Sequence, residues 1–227
     1  VVASARPARQ GGDVRELLRS LPALSGDAPP FDPDTAPTDP LELFAAWFTA
    51  AVERGVPEPH AATLATADAD GRPSARVLVL KDVGPEGFAF ATDARSAKAA
   101  DLAANPQAAL GFWWQPLVRQ VRVAGAARYL GAEVSGADYL ARSPASRAAA
   151  AGVRPGEPLT SVDDLRATMR DARARIDADP GYVLPTWQAW LVVPQVLEFW
   201  QGSVDRAHVR LVYRRTRDGW DRALVWP

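Results

Sequence analysis

The sequence predicts a mostly β fold with flanking helices, an antiparallel barrel or curled sheet, and three observations carry that expectation. Between residues 60 and 93, apolar runs are separated by "ADGRP" and "VGPEG", each holding the Gly and the Pro or Asp of a tight turn. The segment "RQVRVAGAARYL" alternates as a half-buried strand does, with Val121, Val123 and Ala126 on one side and Gln120 and Arg122 on the other. Strand patterning returns beyond Pro185, and the chain lacks the strand-helix alternation that builds a parallel sheet.

Taken in order, residues 1–38 are rich in Pro, Gly, Ala and Asp and read as a mobile or draped N-terminal arm with one short helical turn at "VRELLRSL". Residues 39–227 read as a single domain. Its first element is a helix in "DPLELFAAWFTAAVERG": Asp39 caps it, Pro40 takes the first helical position, Glu42 follows the cap by three, and Gly55 ends it. Leu43, Phe44, Trp47 and Val52 form its expected buried stripe. Three strands follow to residue 93, then a short helix in "RSAKAADLAANP" and two strands in "QAALGFWWQP" and "RQVRVAGAARYL". Residues 131–180 carry helical patterns, the last opening at Ser161. Four strand candidates finish the chain: "TWQAWLVVP", "QVLEFWQG", "HVRLVYRR" and "GWDRALVWP".

Composition narrows the function classes. The 227 residues are 48% hydrophobic and carry a net charge of -1, so no overall field favours nucleic acid or an anionic membrane. Any anion must be held locally. With no cysteine and two histidines, thiolate chemistry is excluded and transition-metal ligands are scarce. The cysteine-free composition fits a cytoplasmic location, and no apolar run is long enough to span a bilayer. Of 26 basic residues only two, Lys81 and Lys98, are lysines. A compact ammonium differs from a guanidinium mainly where geometry matters, which marks both as site candidates.

Three stretches could carry chemistry. In "FWQGSVDRAHVRLVY", Arg206, His208 and Arg210 alternate, and side chains two apart on a strand share a face. Such a trio is either a solvated edge or a surface for a planar anion, with arginine supplying bidentate bonds to phosphate or carboxylate. In "ARVLVLK", Arg76, Leu78 and Leu80 face one way and Val77, Val79 and Lys81 the other. In "TDARSAKAADL", Thr92, Arg95, Ser96 and Lys98 precede or open a helix, whose free N–H groups favour an anion; Asp93 or Ser96 could equally be a plain cap.

Together with "GFAFATDARSAKAADLAANPQAALGFWW", "RQVRVAGAARYL" and "EFWQGSVDRAHVRLVYRR", these stretches resemble the pyridoxamine 5'-phosphate oxidase family in order and spacing. The resemblance implies an FMN-binding split β-barrel, a homodimer with the flavin at the subunit interface, a small anionic substrate and O2 as electron acceptor. It further implies that Arg76, Thr92, Ser96 and Lys98 surround the FMN phosphate and ribityl chain. Gln120, Trp200 and Arg210 contact the flavin, the first two from the other subunit. Lys81 and Tyr139 match substrate-phosphate positions, and Arg206 and His208 match the pair lying over the substrate.

Some positions depart from the family pattern. Ala97 stands where a basic residue usually precedes Lys98, with Arg95 as a possible substitute. Ser143 stands where the oxidase has a phosphate-binding arginine, with Arg142 one place early and Arg147 four places late, and Arg147 joins Lys81 and Tyr139 as an expected substrate contact. These departures, with the small residues Ala148 to Ala151, point to a relative that kept the flavin site and changed its substrate, of the phenazine-biosynthesis oxidase kind. A vitamin B6 phosphate oxidase is the close competitor, and a flavin-binding protein without turnover is the third expectation.

Overall fold

The computed structural model describes residues 11–227, and side chains from Val14 onward; residues 1–10 of the expected N-terminal arm lie outside the described residues. Among the described residues six α-helices and nine strands follow the expected order, except that four strands, not three, precede the helix Ala97–Ala104. Helix α1 is Gly11–Ser20 and α2 is Pro40–Glu53; strands β1 (Ala61–Ala67), β2 (Pro73–Val79), β3 (Asp82–Gly84) and β4 (Gly87–Asp93) come next. After α3 (Ala97–Ala104), β5 (Gln107–Trp114) and β6 (Arg119–Tyr129), the insertion holds α4 (Ala132–Ala141), α5 (Pro144–Gly152) and α6 (Val162–Ala178). Strands β7 (Trp187–Gln201), β8 (Val209–Arg215) and β9 (Trp220–Leu224) complete the sheet.

All strand pairs are antiparallel, in the order β2-β1-β5-β6-β7-β4-β3, with β8 and β9 continuing from the far half of β7. The sheet curls so that its two edges approach each other: the backbone N–H of Lys81, just past β2, donates to Ala89 O on β4 at 2.8 Å. Strand β7 is one element where two were expected. It spans 15 residues because a bulge absorbs Pro194, which lacks an N–H, and Gln195. Gly125 faces that bulge, where a Cβ would lie 2.0 Å from Val193 O.

Helix α2 fills the curl. Asp39 Oδ1 accepts from the Leu41 N–H at 2.9 Å, as the cap signal predicts, and Leu43, Phe44, Trp47 and Ala51 are buried. Val52 is 53% exposed instead, because Ala51 occupies the core-facing turn at no side-chain cost. Phe44 sits edge-on to Phe88 at 4.8 Å and Phe112 at 5.2 Å, and Trp47 edge-on to Phe199 at 5.3 Å. Truncating such a ring costs about 3–5 kcal/mol. Ala126 faces outward with Gln120 and Arg122, because Val121, Val123, Gly125 and Ala127 hold the buried phase of β6. Residues 27–37 are tied to the barrel through Asp27 N–H to Pro116 O, Tyr213 Oη–H to Pro37 O, and Phe31 against Trp47.

Candidate functional site

Two clusters gather most of the predicted site residues. The first lies where the sheet edges meet. Arg76 on edge strand β2 donates through Nη1 to Thr66 Oγ1 at 2.7 Å, and Lys98 Nζ, from the first turn of α3, donates to Thr92 Oγ1 on β4 at 3.0 Å. Thr92 and Ser96 hydroxyls are 3.1 Å apart, and both residues are buried. Ser96 stands at the N-cap yet makes no side-chain capping bond, leaving its hydroxyl within the cluster. Burial, and then the Arg76 charge, push the Lys98 ammonium below its ordinary lysine range. Two cations near enough to oppose each other, one of them 3.9 Å from Asp101, stand beside two hydroxyls and a helix N-terminus, a set that suits a phosphate dianion.

Arg95 does not complete this cluster. Its Nε and Nη2 donate to Asp93 Oδ1 and Oδ2 at 2.9 and 2.6 Å, and Nη2 also reaches Val153 O at 3.0 Å. Burial by itself would raise the Asp93 carboxyl, but the Arg95 bonds outweigh it and hold it below the usual carboxylate range. Asp93 is the nearer acid, so the guanidinium turns to it.

The second cluster lies on β6–β8 and the turn after β7. Gln120, Trp200 and Arg210 stand in register across these strands. Trp113 is 6.3 Å from Trp200, and His208 is 4.8 Å from Trp200 on its other side. Gly202 leaves room for this arrangement, since a Cβ there would come within 2.8 Å of the indole. Arg206 and His208 are not on a strand, contrary to the alternation argument. β8 begins at Val209, and Arg206 occupies a left-handed turn at φ 68°. Asp205 Oδ1 tightens that turn by accepting from the Ser203 hydroxyl and the Ala207 N–H. His208 Nδ1 accepts from the Ser203 N–H at 3.0 Å, so the neutral ring carries its proton on Nε2. Arg206, His208 and Arg210 still line one cavity of about 500 Å³, with Trp226 at its edge.

A third group joins Lys81, between β2 and β3, to Tyr139 and Arg147 on the insertion. Lys81 Nζ lies 3.9 Å from Asp138 Oδ1, while Asp138 Oδ2 accepts from Trp187 Nε1 at 2.7 Å. Tyr139 is fully buried and its hydroxyl donates to Arg147 O; Arg147 is 6% exposed and donates to Pro180 O at 2.6 Å. These two expected substrate contacts thus have side chains engaged with the backbone. Arg142 lies 4.4 Å over the Trp187 ring, and its Nε, like that of Arg147, is buried without a partner. Burial lowers the Arg142 guanidinium from its ordinary value. Ser143 caps α5 by accepting from the Ser146 N–H. Sequence reasoning passed over Asp138, and also Glu198, which only the register places between Arg122 and Arg210.

Comparison with known proteins gives these groups a context. Residues 48–177 match the family model described as pyridoxamine 5'-phosphate oxidase, and residues 187–227 match a pyridoxine 5'-phosphate oxidase C-terminal dimerisation region. The chain is 43% identical to the pyridoxine/pyridoxamine 5'-phosphate oxidase of Thermosynechococcus vestitus, across 95% of this chain and 98% of that protein. It is 45% identical to the corresponding protein of Bordetella petrii, across 82% and 89%. Among solved structures, PhzG from Burkholderia lata 383, in complex with tetrahydrophenazine-1-carboxylic acid, superposes with a TM-score of 0.82 at 28% identity, covering 89% of this chain and all of that one.

Proposed function

We propose that this chain, which belongs to the pyridoxamine 5'-phosphate oxidase family and is an FMN-dependent oxidoreductase, oxidises pyridoxine or pyridoxamine 5'-phosphate. The observation that carries the substrate is identity above 40% to proteins of that name over most of both chains, against 28% to PhzG. This reverses the order in which the two substrates were expected from Ser143 and its neighbours. The phenazine-type reading keeps one structural argument: the Ser143 hydroxyl is spent as a helix cap, so the position supplies no cation.

Bound FMN would supply the two-electron redox chemistry, with O2 as the final acceptor. Arg76, Lys98, Thr92 and Ser96 would hold its phosphate, with Gln120, Trp200 and Arg210 meeting the flavin. Within one protomer, β2 and β6 are three strands apart, about 14 Å at the usual interstrand spacing. That spacing, the exposed Val77 and Trp113 on the outward sheet face, and the dimerisation-region match support a homodimer with the flavin between subunits. Lys81 and Arg142, whose charged groups are not fully committed, would take the substrate anion, while Tyr139 and Arg147 shape the wall behind them.

His208 would act as a donor. Its Nε2–H can polarise the substrate heteroatom, whereas taking a proton at Nε2 first requires moving the proton already there. Arg206 would orient the substrate from the left-handed turn. Residues 39–227 act as one domain in this reading, supported by the continuous sheet, and residues 1–38 as an appended arm. Among the described residues no helix is long and apolar enough to cross a membrane; the cytoplasm is the proposed location.

Anaerobic addition of pyridoxamine 5'-phosphate to the FMN-loaded protein tests the substrate. Bleaching of the flavin's visible band is expected; bleaching only by a dihydroaromatic acid would replace the proposal with the phenazine-type reading. No bleaching by either would leave a binding protein. His208→Ala should slow reduction more than it weakens FMN binding, and Arg210→Ala the reverse.

A further inference from the structure

Glu198 is buried, 8% exposed, although it sits on the outward face of β7 between the core residues Leu197 and Phe199. A buried carboxylate needs compensation, and two arginines provide it, one on each oxygen. Arg210 Nη2 donates to Oε2 at 2.7 Å, and Arg122 Nη1 to Oε1 at 3.4 Å. The two arginines serve different cavities. Arg122 lines one of about 440 Å³ with Gln120, Trp113 and Val77; Arg210 lines the one with Arg206 and His208. Glu198 therefore joins two walls of the site that lie on separate strands. The remaining Arg210 contacts are a 3.3 Å bond to Trp226 O and a buried Nε without a partner. Without Glu198 no other charged group among the described residues would fix the guanidinium's plane.

We propose that Glu198 is a positioning residue for the flavin, which orients Arg210 and Arg122 and, as a fixed negative charge beside them, lowers the reduction potential of bound FMN. The proposal rests on the reading of Arg210 as a flavin contact. Reduction adds negative charge to a flavin, so nearby guanidiniums favour the reduced form and a carboxylate among them opposes it. A lower potential suits an enzyme that must hand its electrons to O2.

Glu198→Gln keeps an acceptor and the side-chain shape but removes the charge; Glu198→Ala removes the anchor. Apoprotein should be titrated with FMN by fluorescence quenching, and the midpoint potential measured against a reference dye. For Glu198→Gln, FMN affinity should stay within about threefold of wild type. Its potential should rise by about 30 mV or more, a tenfold change for a two-electron couple. For Glu198→Ala, FMN should bind about tenfold more weakly, a loss that shrinks in an Arg210→Ala background. An unchanged potential in Glu198→Gln overturns the proposal even if Glu198→Ala does not fold. Unchanged FMN binding and potential in Arg210→Ala overturns the flavin reading of that arginine, and the proposal with it.

Discussion

Replacing Lys98 by Met separates binding from folding, with a small change expected in stability and a large loss in FMN affinity. Lys98 is half-buried, and its Nζ makes one bond in the seam cluster, to Thr92 Oγ1 at 3.0 Å, with the Arg76 charge nearby opposing it. In apoprotein the substitution loses that charge-assisted bond, worth about 1.5–3 kcal/mol, but also releases a desolvated ammonium from a like charge, leaving a net change of about 1 kcal/mol. The Met stem fills the same space, so the apoprotein melting temperature should move by no more than about 4 °C, the shift about 1 kcal/mol gives a chain of this size. FMN binding has no such compensation. A hydrogen bond to a charged group is worth about 1.5–3 kcal/mol, which corresponds to roughly 10- to 150-fold in dissociation constant. Because the folded lysine titrates below its ordinary value, wild-type affinity should also begin to fall at a lower pH than a free lysine would dictate, and Lys98→Met should abolish that alkaline limb. Fluorescence-quenching titrations of apoprotein across pH, with parallel thermal melts, read both quantities. Wild-type FMN affinity in Lys98→Met, or a melting temperature lowered by ten degrees with affinity intact, would refute the phosphate assignment.

Two further substitutions probe the scaffold. Gly125→Ala should destabilise the fold by at least about 2–3 kcal/mol, seen as a lower urea midpoint, because the added Cβ meets Val193 O and the Gln195 N–H of the adjoining bulge, both backbone; an unchanged midpoint would mean the bulge yields freely. Arg95→Ala should lower the melting temperature most at neutral pH. The Asp93 carboxyl is held low in the folded state, so its contribution is present above the unfolded carboxylate range and lost as pH falls through the folded value. The gap between variant and wild type should therefore close in acid, and a gap constant with pH would exclude the ion pair as its cause.

Local chemistry makes much of this protein legible in its sequence. The Asp39-Pro40 start of α2, the turn residues around Gly71 and Gly84, the Ser161 cap of α6 and the alternation of β6 each act within a few residues, and each stands where it was read. Lys81 and Lys98 were marked by their scarcity, and both prove partly buried beside charged neighbours. What failed were inferences that needed knowledge of a partner. Arg206 and His208 alternate with Arg210, yet Asp205 and Ser203 draw them into a turn. Arg95 stands near Lys98 in sequence, yet the closer Asp93 claims it. Tyr139 and Arg147 read as polar site residues, yet packing of α4 against α5 and β7 buries them.

The sequence by itself determined most of the strands and helices, because propensity, capping and turn chemistry are short-range properties, and its resemblance to the family implied the cofactor. Only the tertiary structure decided which charges meet. The curl of the sheet lets α3, which follows β4, pack against β1 and β2 and so sets Lys98 and Thr92 near Arg76, and the β6–β7–β8 register sets Glu198 between two arginines. Those distances depend on sheet closure and on competition among buried polar groups for partners, and no window of sequence contains either.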